Sequence, residues 1–237
     1  MSPMTDIEML QTTIAQLPGF LAVVNLDSRC IAINQSAAQA FGYSSIEGAL
    51  GITPKEMRCK AVESADAFIE QNEQILQYET PLTLIDIHTY AKDEKKFLLS
   101  NKKPFYLQEK LAGVIGHAAE LTSAKLQQIC ERLIETDKYF YPTSCKNRSY
   151  QINHYSHTSL TSREQDCLSY LVRGKTMKQM AHLMRISPRT VESHLINIKE
   201  KLHCKTKSDL IEVGILQGYL NLIPESLLKN NMSETIN

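Results

Sequence analysis

The stretch "SPRTVESHLINIKEKLHCKTKSDLI", Ser187 to Ile211, decides how the rear of this chain folds. Ser187 carries the side-chain oxygen of a helix N-cap, and Pro188 suits the first turn, where its missing N–H costs nothing. Val191, Leu195, Ile198 and Leu202 recur at i, i+4, i+7 and i+11, which predicts one buried stripe along a helix. The opposite face offers Arg189, Thr190, Glu192, Ser193, Ile196, Asn197, Lys199 and Lys201. A helix lying in the major groove of DNA needs such a face: small or amide side chains for base edges, with flanking cations for phosphates.

Upstream, "TMKQMAHLMRI" places Met177, Met180, Ala181 and Met184 at i, i+3, i+4 and i+7, a second helix whose methionines read as core. "SREQDCLSYLVRG" is a third, opening after Thr161 and ending at Gly174, with Cys167, Leu168, Leu171 and Val172 on one side. "KSDLIEVGILQGYL" continues the series downstream. Connectors this short force the helices against one another. Two helices joined across "RIS", the second with a polar and basic face, have helix-turn-helix geometry.

Residues 159–220 resemble the LuxR/NarL-type (GerE-like) DNA-binding domain. "LTSREQDCL" is similar to that family's L-T-x-R-E-x-x-x-L opening, and "RGKTMKQMAHLMRIS" to its G-x-x-x-x-x-I-A-x-x-L-x-I-S centre. "PRTVESHLINIKEKLHCKTKSDL" is similar to T-V-x-x-H-x-x-x-I-x-x-K-L and the helix that follows. Met180 stands where the family has Ile, and Glu192 and Ile196 where many relatives place a cation. The resemblance implies base-edge contacts from Thr190, Ser193, Ile196 and Asn197, and phosphate contacts from Lys178, Arg189, His194, Lys199, Lys201 and Lys205. Arg163 and Glu164 are read as an internal ion pair. The last helix, through Leu210, Val213, Gly214 and Gln217, is expected to supply a homodimer contact. Double-stranded DNA is the expected partner, and RNA polymerase is carried as a second.

The chain has 237 residues, room for two modest domains, and a formal net charge of zero. That balance hides an asymmetry. Residues 1–125 hold 11 Lys+Arg against 15 Asp+Glu, and residues 158–220 hold 10 against 6, so only the rear suits a polyanion. No apolar run approaches the ~20 residues that span a bilayer, and no signal peptide is read at "MSPMTDIEML". A cytoplasmic protein without membrane contact is the expectation. The six cysteines have neither C-x-x-C spacing nor paired histidines, which predicts reduced thiols and no metal site.

The front half reads as mixed α and β, giving an α+β chain overall. "GFLAVVNLD" and "CIAIN" form a hairpin, "NQSAAQAFGY" and "ADAFIEQNEQILQY" helices, and "PLTLIDIHTY", "KKFLLSNKKPFYL" and "LAGVIGHAAELT" three more strands. "LTSAKLQQICERLIETDKY" has Leu126, Ile129 and Leu133 at helical spacing, and Lys138–Ser159 reads as a polar linker. The expected domains are 15–123, a linker helix and flexible linker at 124–158, and the all-α four-helix domain at 159–220.

The β-β-α…α-β-β-β order resembles a PAS domain, an antiparallel sheet with helices. Pro18, Gly19, Asp27 and Asn34 stand at that family's hairpin positions; "NQSAAQAFGYSSIEGALG" and "KKPFY…LAGVIGHAAELT" are similar to its later segments. The turn glycine after Asp27 is missing, and Glu120 and Leu121 replace Asp and Ile. The resemblance implies a pocket between sheet and long helix, with Phe68, Ile69, Ile75, Leu84, Phe97, Leu99 and Ile115 as lining or core. The photoreactive flavin motif is absent, Ala65–Tyr78 has no haem-binding His, and the cofactor stays unknown. No phosphoacceptor pattern or lactone-receptor motif is present, and no nucleophile–base pair suggests an enzyme. The leading reading is a transcription regulator whose sensor takes a small molecule or a partner protein. The alternative is an adaptor controlled by a partner, with no ligand.

Overall fold

The computed structural model describes residues 5–122, 148–152, 154, 155 and 158–225. The described residues up to Ser149 form one compact unit, and those from Tyr150 onward a second. The amphipathic segment around Leu126, Ile129 and Leu133, and most of the linker expected at 124–158, lie outside the described residues.

The first unit opens with a helix that the sequence reading passed over, α1 (Asp6–Ala15). Thr5 and Glu8 form a reciprocal capping box there, Glu8 accepting from the Thr5 N–H at 2.8 Å. Ile14 packs with Leu21, Val23 and Ala32 of the first hairpin, β1 (Phe20–Asn25) and β2 (Cys30–Ile33). The Gln11 amide donates to the Ile33 carbonyl at 2.8 Å and accepts its N–H at 2.9 Å, which satisfies the backbone of the edge strand β2. The hairpin lacks the family's glycine, and Ser28 takes the left-handed conformation instead (φ 59°). Asn25 Oδ1 steadies that turn by accepting from the Asp27 and Arg29 N–H groups.

Asn34 caps α2 (Gln35–Ala40) through Ala37 N–H and ties it to β1 through Leu21 N–H, at 3.0 and 3.2 Å. The short α3 (Ile46–Ala49) and two 3₁₀ turns lead into the long helix α4 (Ala65–Tyr78). Then come β3 (Leu82–Thr89), β4 (Lys95–Leu107) and β5 (Lys110–Glu120). A sixth strand, β6 (Arg148–Gln151), falls inside the stretch read as linker. The sheet order is β2-β1-β5-β4-β3-β6, with β1–β2, β1–β5, β4–β5 and β3–β4 antiparallel. Gly113 (φ 157°) lies where β5 meets the carbonyl of Val24; a Cβ there would sit 1.8 Å from that oxygen.

The second unit holds four helices: α5 (Ser162–Val172), α6 (Met177–Met184), α7 (Pro188–Lys201) and α8 (Lys207–Leu216). Thr161, Thr176 and Thr206 build capping boxes with Glu164, Gln179 and Asp209, and Ser187 caps α7 through the Thr190 N–H. Leu168, Leu171, Met180, Met184, Val191, Ile198 and Leu210 are buried. Met177, read as core, is exposed, because it is the first residue of α6 and precedes the turn that packs.

Residues flanking the four helices complete this unit. Gln151 forms a parallel bridge to Leu222, donating to Asn221 O and accepting from Ile223 N, both at 2.8 Å. The Gln165 amide grips the backbone N–H and carbonyl of Tyr155 at 2.8 and 2.9 Å. Arg173 reaches the carbonyls of Ser169, Tyr219 and Leu220. His154 Nε2 lies 2.8 Å from the buried Asp166 carboxylate.

Candidate DNA-contacting face and sensor cavity

The α7 helix is held to its own unit along one side only. Val191 and Ile198 are fully buried, Leu195 and Leu202 half-buried, so the expected stripe faces inward with its outer members partly uncovered. At the last turn Lys201 Nζ donates to Glu164 Oε2 at 2.7 Å. Burial alone raises the pKa of the Glu164 carboxyl, but Lys201 and the Thr161 N–H and hydroxyl outweigh it and hold it below the ordinary glutamate value. Glu164 is therefore paired with Lys201, not with Arg163, which points to solvent.

On the outer side Arg189, Thr190, Glu192, Ser193, Ile196 and Asn197 are all exposed. Thr190 Oγ1 lies 2.8 Å from Ser187 Oγ, and Ser193 Oγ donates to the Arg189 carbonyl at 3.1 Å. Both hydroxyls are thereby oriented along the helix and keep acceptor capacity outward. Asn197 carries the amide best suited to a base edge. Lys178 and Lys205 are exposed, His194 and Lys199 half-buried, and the Lys201 ammonium is engaged by Glu164. Arg185 closes α6 in the left-handed conformation (φ 53°), turning the chain sharply into α7.

The last helix is oriented differently from the expectation. Leu210 is fully buried, and a Cβ on Gly214 would meet Val172 at 2.6 Å and Leu168 at 3.1 Å, so these two seat α8 on α5. Val213 is half-buried and Gln217 exposed. The apolar residues α8 shows to solvent are Ile215 (44% exposed) and Leu216 (78%), beside the half-buried Ile211.

The first unit has a partly open cavity of about 150 Å³ between α4, the sheet and the α2–α3 region. Of the expected lining residues only Phe68 is on its wall. Ile75 and Leu84 pack with Leu82 and Val114, and Ile115 packs with Ile14 and Leu21 under α1. Side chains alternate along a strand, and on β4 and β5 the even positions Leu98, Ser100, Lys102, Val114, Gly116 and Ala118 line the cavity, joined by the odd His117. Phe97, Leu99 and Ile115 therefore face the other way; Ile69, half-buried on α4, is likewise off the wall.

The wall is mostly apolar with a polar set that sequence reasoning missed. Asn72 Nδ2 donates to Ser28 Oγ at 3.0 Å. Lys102 Nζ donates to Gln71 Oε1 at 2.8 Å and sits 5.3 Å from the Phe68 ring centroid. Burial pushes the Lys102 ammonium below the ordinary lysine value, and the Asp86 charge offsets this in part. Burial would raise the Asp86 carboxyl, yet bonds from His88 and Ser100 and the charges of His88 and Lys102 keep it below the usual aspartate value. Cys30, also on the wall, is pushed up to about 12 by burial, as is Cys167 in the second unit, so neither offers a thiolate at neutral pH. Cys30, Cys59, Cys167 and Cys204 are free thiols. Among the described residues there is no cluster able to hold a metal ion, and no helix long and apolar enough to cross a membrane.

Comparison with known proteins agrees with this division. Residues 158–213 match the family of bacterial regulatory proteins described as luxR family, and residues 14–126 match the PAS fold. The chain is 30% identical over 95 residues to the uncharacterized response regulatory protein YgeK of Escherichia coli K12, covering 40% of this chain and 65% of YgeK. It is 29% identical over 116 residues to the transcriptional activator VanR of Vibrio anguillarum, covering 47% and 48%. The matched region is thus under two thirds of either relative's own length. Among solved structures, the VqmA dimer of Vibrio cholerae is similar over 95% of this chain and 94% of that one, at 24% identity and a TM-score of 0.48. A phage VqmA–DPO complex gives a TM-score of 0.48 at 25% identity, over 93% of this chain and 91% of that one. The luxR family is one of bacterial regulatory proteins. Residues 158–213 are a LuxR-family DNA-binding domain, and residues 14–126 are a PAS fold.

Proposed function

We propose that this chain regulates transcription: α7 reads duplex DNA in the major groove, and a small molecule in the PAS cavity controls its use. The observation that carries the reading is the outer face of α7, where six neighbouring polar, charged and apolar side chains are exposed while Val191, Ile198 and the Lys201–Glu164 pair fix the opposite side. A helix so held presents base-reading groups without the entropy cost of ordering its backbone on contact. In a target selected from random duplexes, Asn197→Ala shifts preference at one base position by ~1–3 kcal/mol. Lys199→Ala weakens all sequences alike and flattens the salt slope by ~1. Equal losses for both variants on every sequence would remove Asn197 from base reading.

A cavity of ~150 Å³ has room for at least one benzene-sized ring, which sets the ligand size we favour. Lys102 offers a donor and Asp86 an acceptor on its wall. Native mass spectrometry of the full chain tests this, with DPO, the compound in the VqmA complex, as the first addition. Extra mass on the native species supports the ligand; its absence under every addition favours a protein partner as the signal. For dimerisation we favour Ile211, Ile215 and Leu216 over the inward-turned Leu210 and Gly214. Sedimentation of Leu216→Glu as a monomer that binds single half-sites weakly is the expected result.

A further inference from the structure

One carboxylate serves both the cavity wall and the last residue of the sensor unit. Asp86 lines the cavity, and Ser149 Oγ donates to its Oδ1. The one hydroxyl proton of Ser149 is committed there, so the same oxygen accepts from His88 Nε2, 3.1 Å away. His88 is fully buried and stands edge-on to Phe68 of the wall, ring centroids 4.8 Å apart. Its Nδ1 has no hydrogen-bond partner among the described residues. Ser149 thus orients the His88 ring, whose Nε2 also lies 3.6 Å from Asp86 Oδ1.

Asp86 accepts from Ser100 and, at Oδ1, from Ser149, and His88 Nε2 lies 3.6 Å from that same Oδ1. Oδ1 already carries Ser149 with the His88 ring beside it, so a donor arriving from the cavity at that oxygen competes with Ser149 for it. The three are not equally secured. Ser100 lies on the thirteen-residue β4 and His88 on β3 itself, both inside the sheet, whereas Ser149 lies on the four-residue edge strand β6. The weakest attachment is therefore Ser149, whose next residue, Tyr150, belongs to the DNA-binding unit.

We infer that Asp86 is a ligand-operated latch: a cavity occupant that donates an N–H to its carboxylate displaces Ser149 and loosens β6 at the entry to the DNA-binding unit. This rests on the cavity being a ligand site. An occupant that fills the cavity without a donor leaves the latch closed.

Hydrogen exchange of the full chain, read by mass spectrometry at residues 148–152, tests it with two probes. Benzamide brings a ring for the wall, an N–H for Asp86 and a carbonyl for Lys102; toluene brings the ring alone. Binding of each is followed independently by the shift in melting temperature. Benzamide is expected to raise exchange in β6 several-fold and toluene to leave it unchanged. Ser149→Ala should exchange fast without any probe and gain nothing from benzamide. Benzamide that binds without altering exchange, or a Ser149→Ala variant that exchanges like the parent, overturns the latch. If neither probe binds, the ligand-cavity reading falls and the ligand-operated latch falls with it, while the Ser149→Ala result still decides whether the tie holds β6.

Discussion

Lys201, on the last turn of α7, donates from Nζ to Glu164 Oε2 at 2.7 Å, and that same oxygen accepts from the Thr161 N–H at 2.7 Å. One buried carboxylate oxygen therefore starts α5 and anchors the end of the proposed recognition helix. Glu164→Ala removes the cap and leaves the Lys201 charge without a partner. A loss of about 3 kcal/mol is expected in urea unfolding of the second unit. In a double-mutant cycle with Lys201→Ala, a coupling of about 1–2 kcal/mol should appear; additive losses would mean the pair is decorative.

The same carboxylate sets an acid limit. The folded pKa of Glu164 lies below its ordinary 4.5, so its contribution is complete above that value and is lost as pH falls through the folded pKa. The urea midpoint of the second unit should be flat in this contribution from pH 7 to 5 and decline below about 4.5. Glu164→Gln should flatten that acid limb. A decline already steep between pH 7 and 5 would point to another group.

Gly214 is a packing glycine rather than a turn glycine. Alanine there gains about 1 kcal/mol of helix propensity but drives its methyl into Val172 and Leu168. Overpacking costs ~1–3 kcal/mol, so Gly214→Ala should lower stability by about 1 kcal/mol and push α8 away from α5. Thermal unfolding of the variant measures this; a gain in stability would show that α8 shifts freely.

Lys102→Met separates binding from folding in the sensor. Burial disfavours the Lys102 ammonium, so a thioether of similar length should leave the melting temperature of the first unit unchanged or higher. Loss of the donor should weaken a carbonyl-bearing cavity ligand at least tenfold by calorimetry. A melting temperature several degrees lower would mean the Gln71 bond outweighs the burial cost.

The second unit was legible because each helix announces its start locally. Thr161, Thr176 and Thr206 each precede a partner three residues on, and Ser187 precedes Pro188. The same signal, Thr5 before Glu8, marks α1, and reading it would have extended the front unit. The inner face of α8 was not legible, since "LIEVGIL" is apolar on both sides and Leu210 differs from Ile215 only by what lies opposite. Nor was the cavity wall. Phe97, Leu98 and Leu99 are consecutive and apolar, so composition cannot say which parity faces in, and the wall carries Asp86, Ser100 and Lys102, against the rule that polar positions face out. The strap around Gln151 and Tyr155 escaped notice because its buried side chains are tyrosines spaced by polar residues rather than aliphatic ones.

The bridge between Gln151 and Leu222 brings the first and last described segments of the second unit side by side. A stretch whose ends adjoin is topologically a ring with one bond left open. Joining those ends with a few glycines and reopening the chain at an exposed turn, such as Gly174, should leave the α5–α8 packing intact. Trimming to residues 158–213 instead would remove both halves of the bridge and the carbonyls of Tyr219 and Leu220 that receive Arg173, leaving a buried guanidinium with two fewer acceptors.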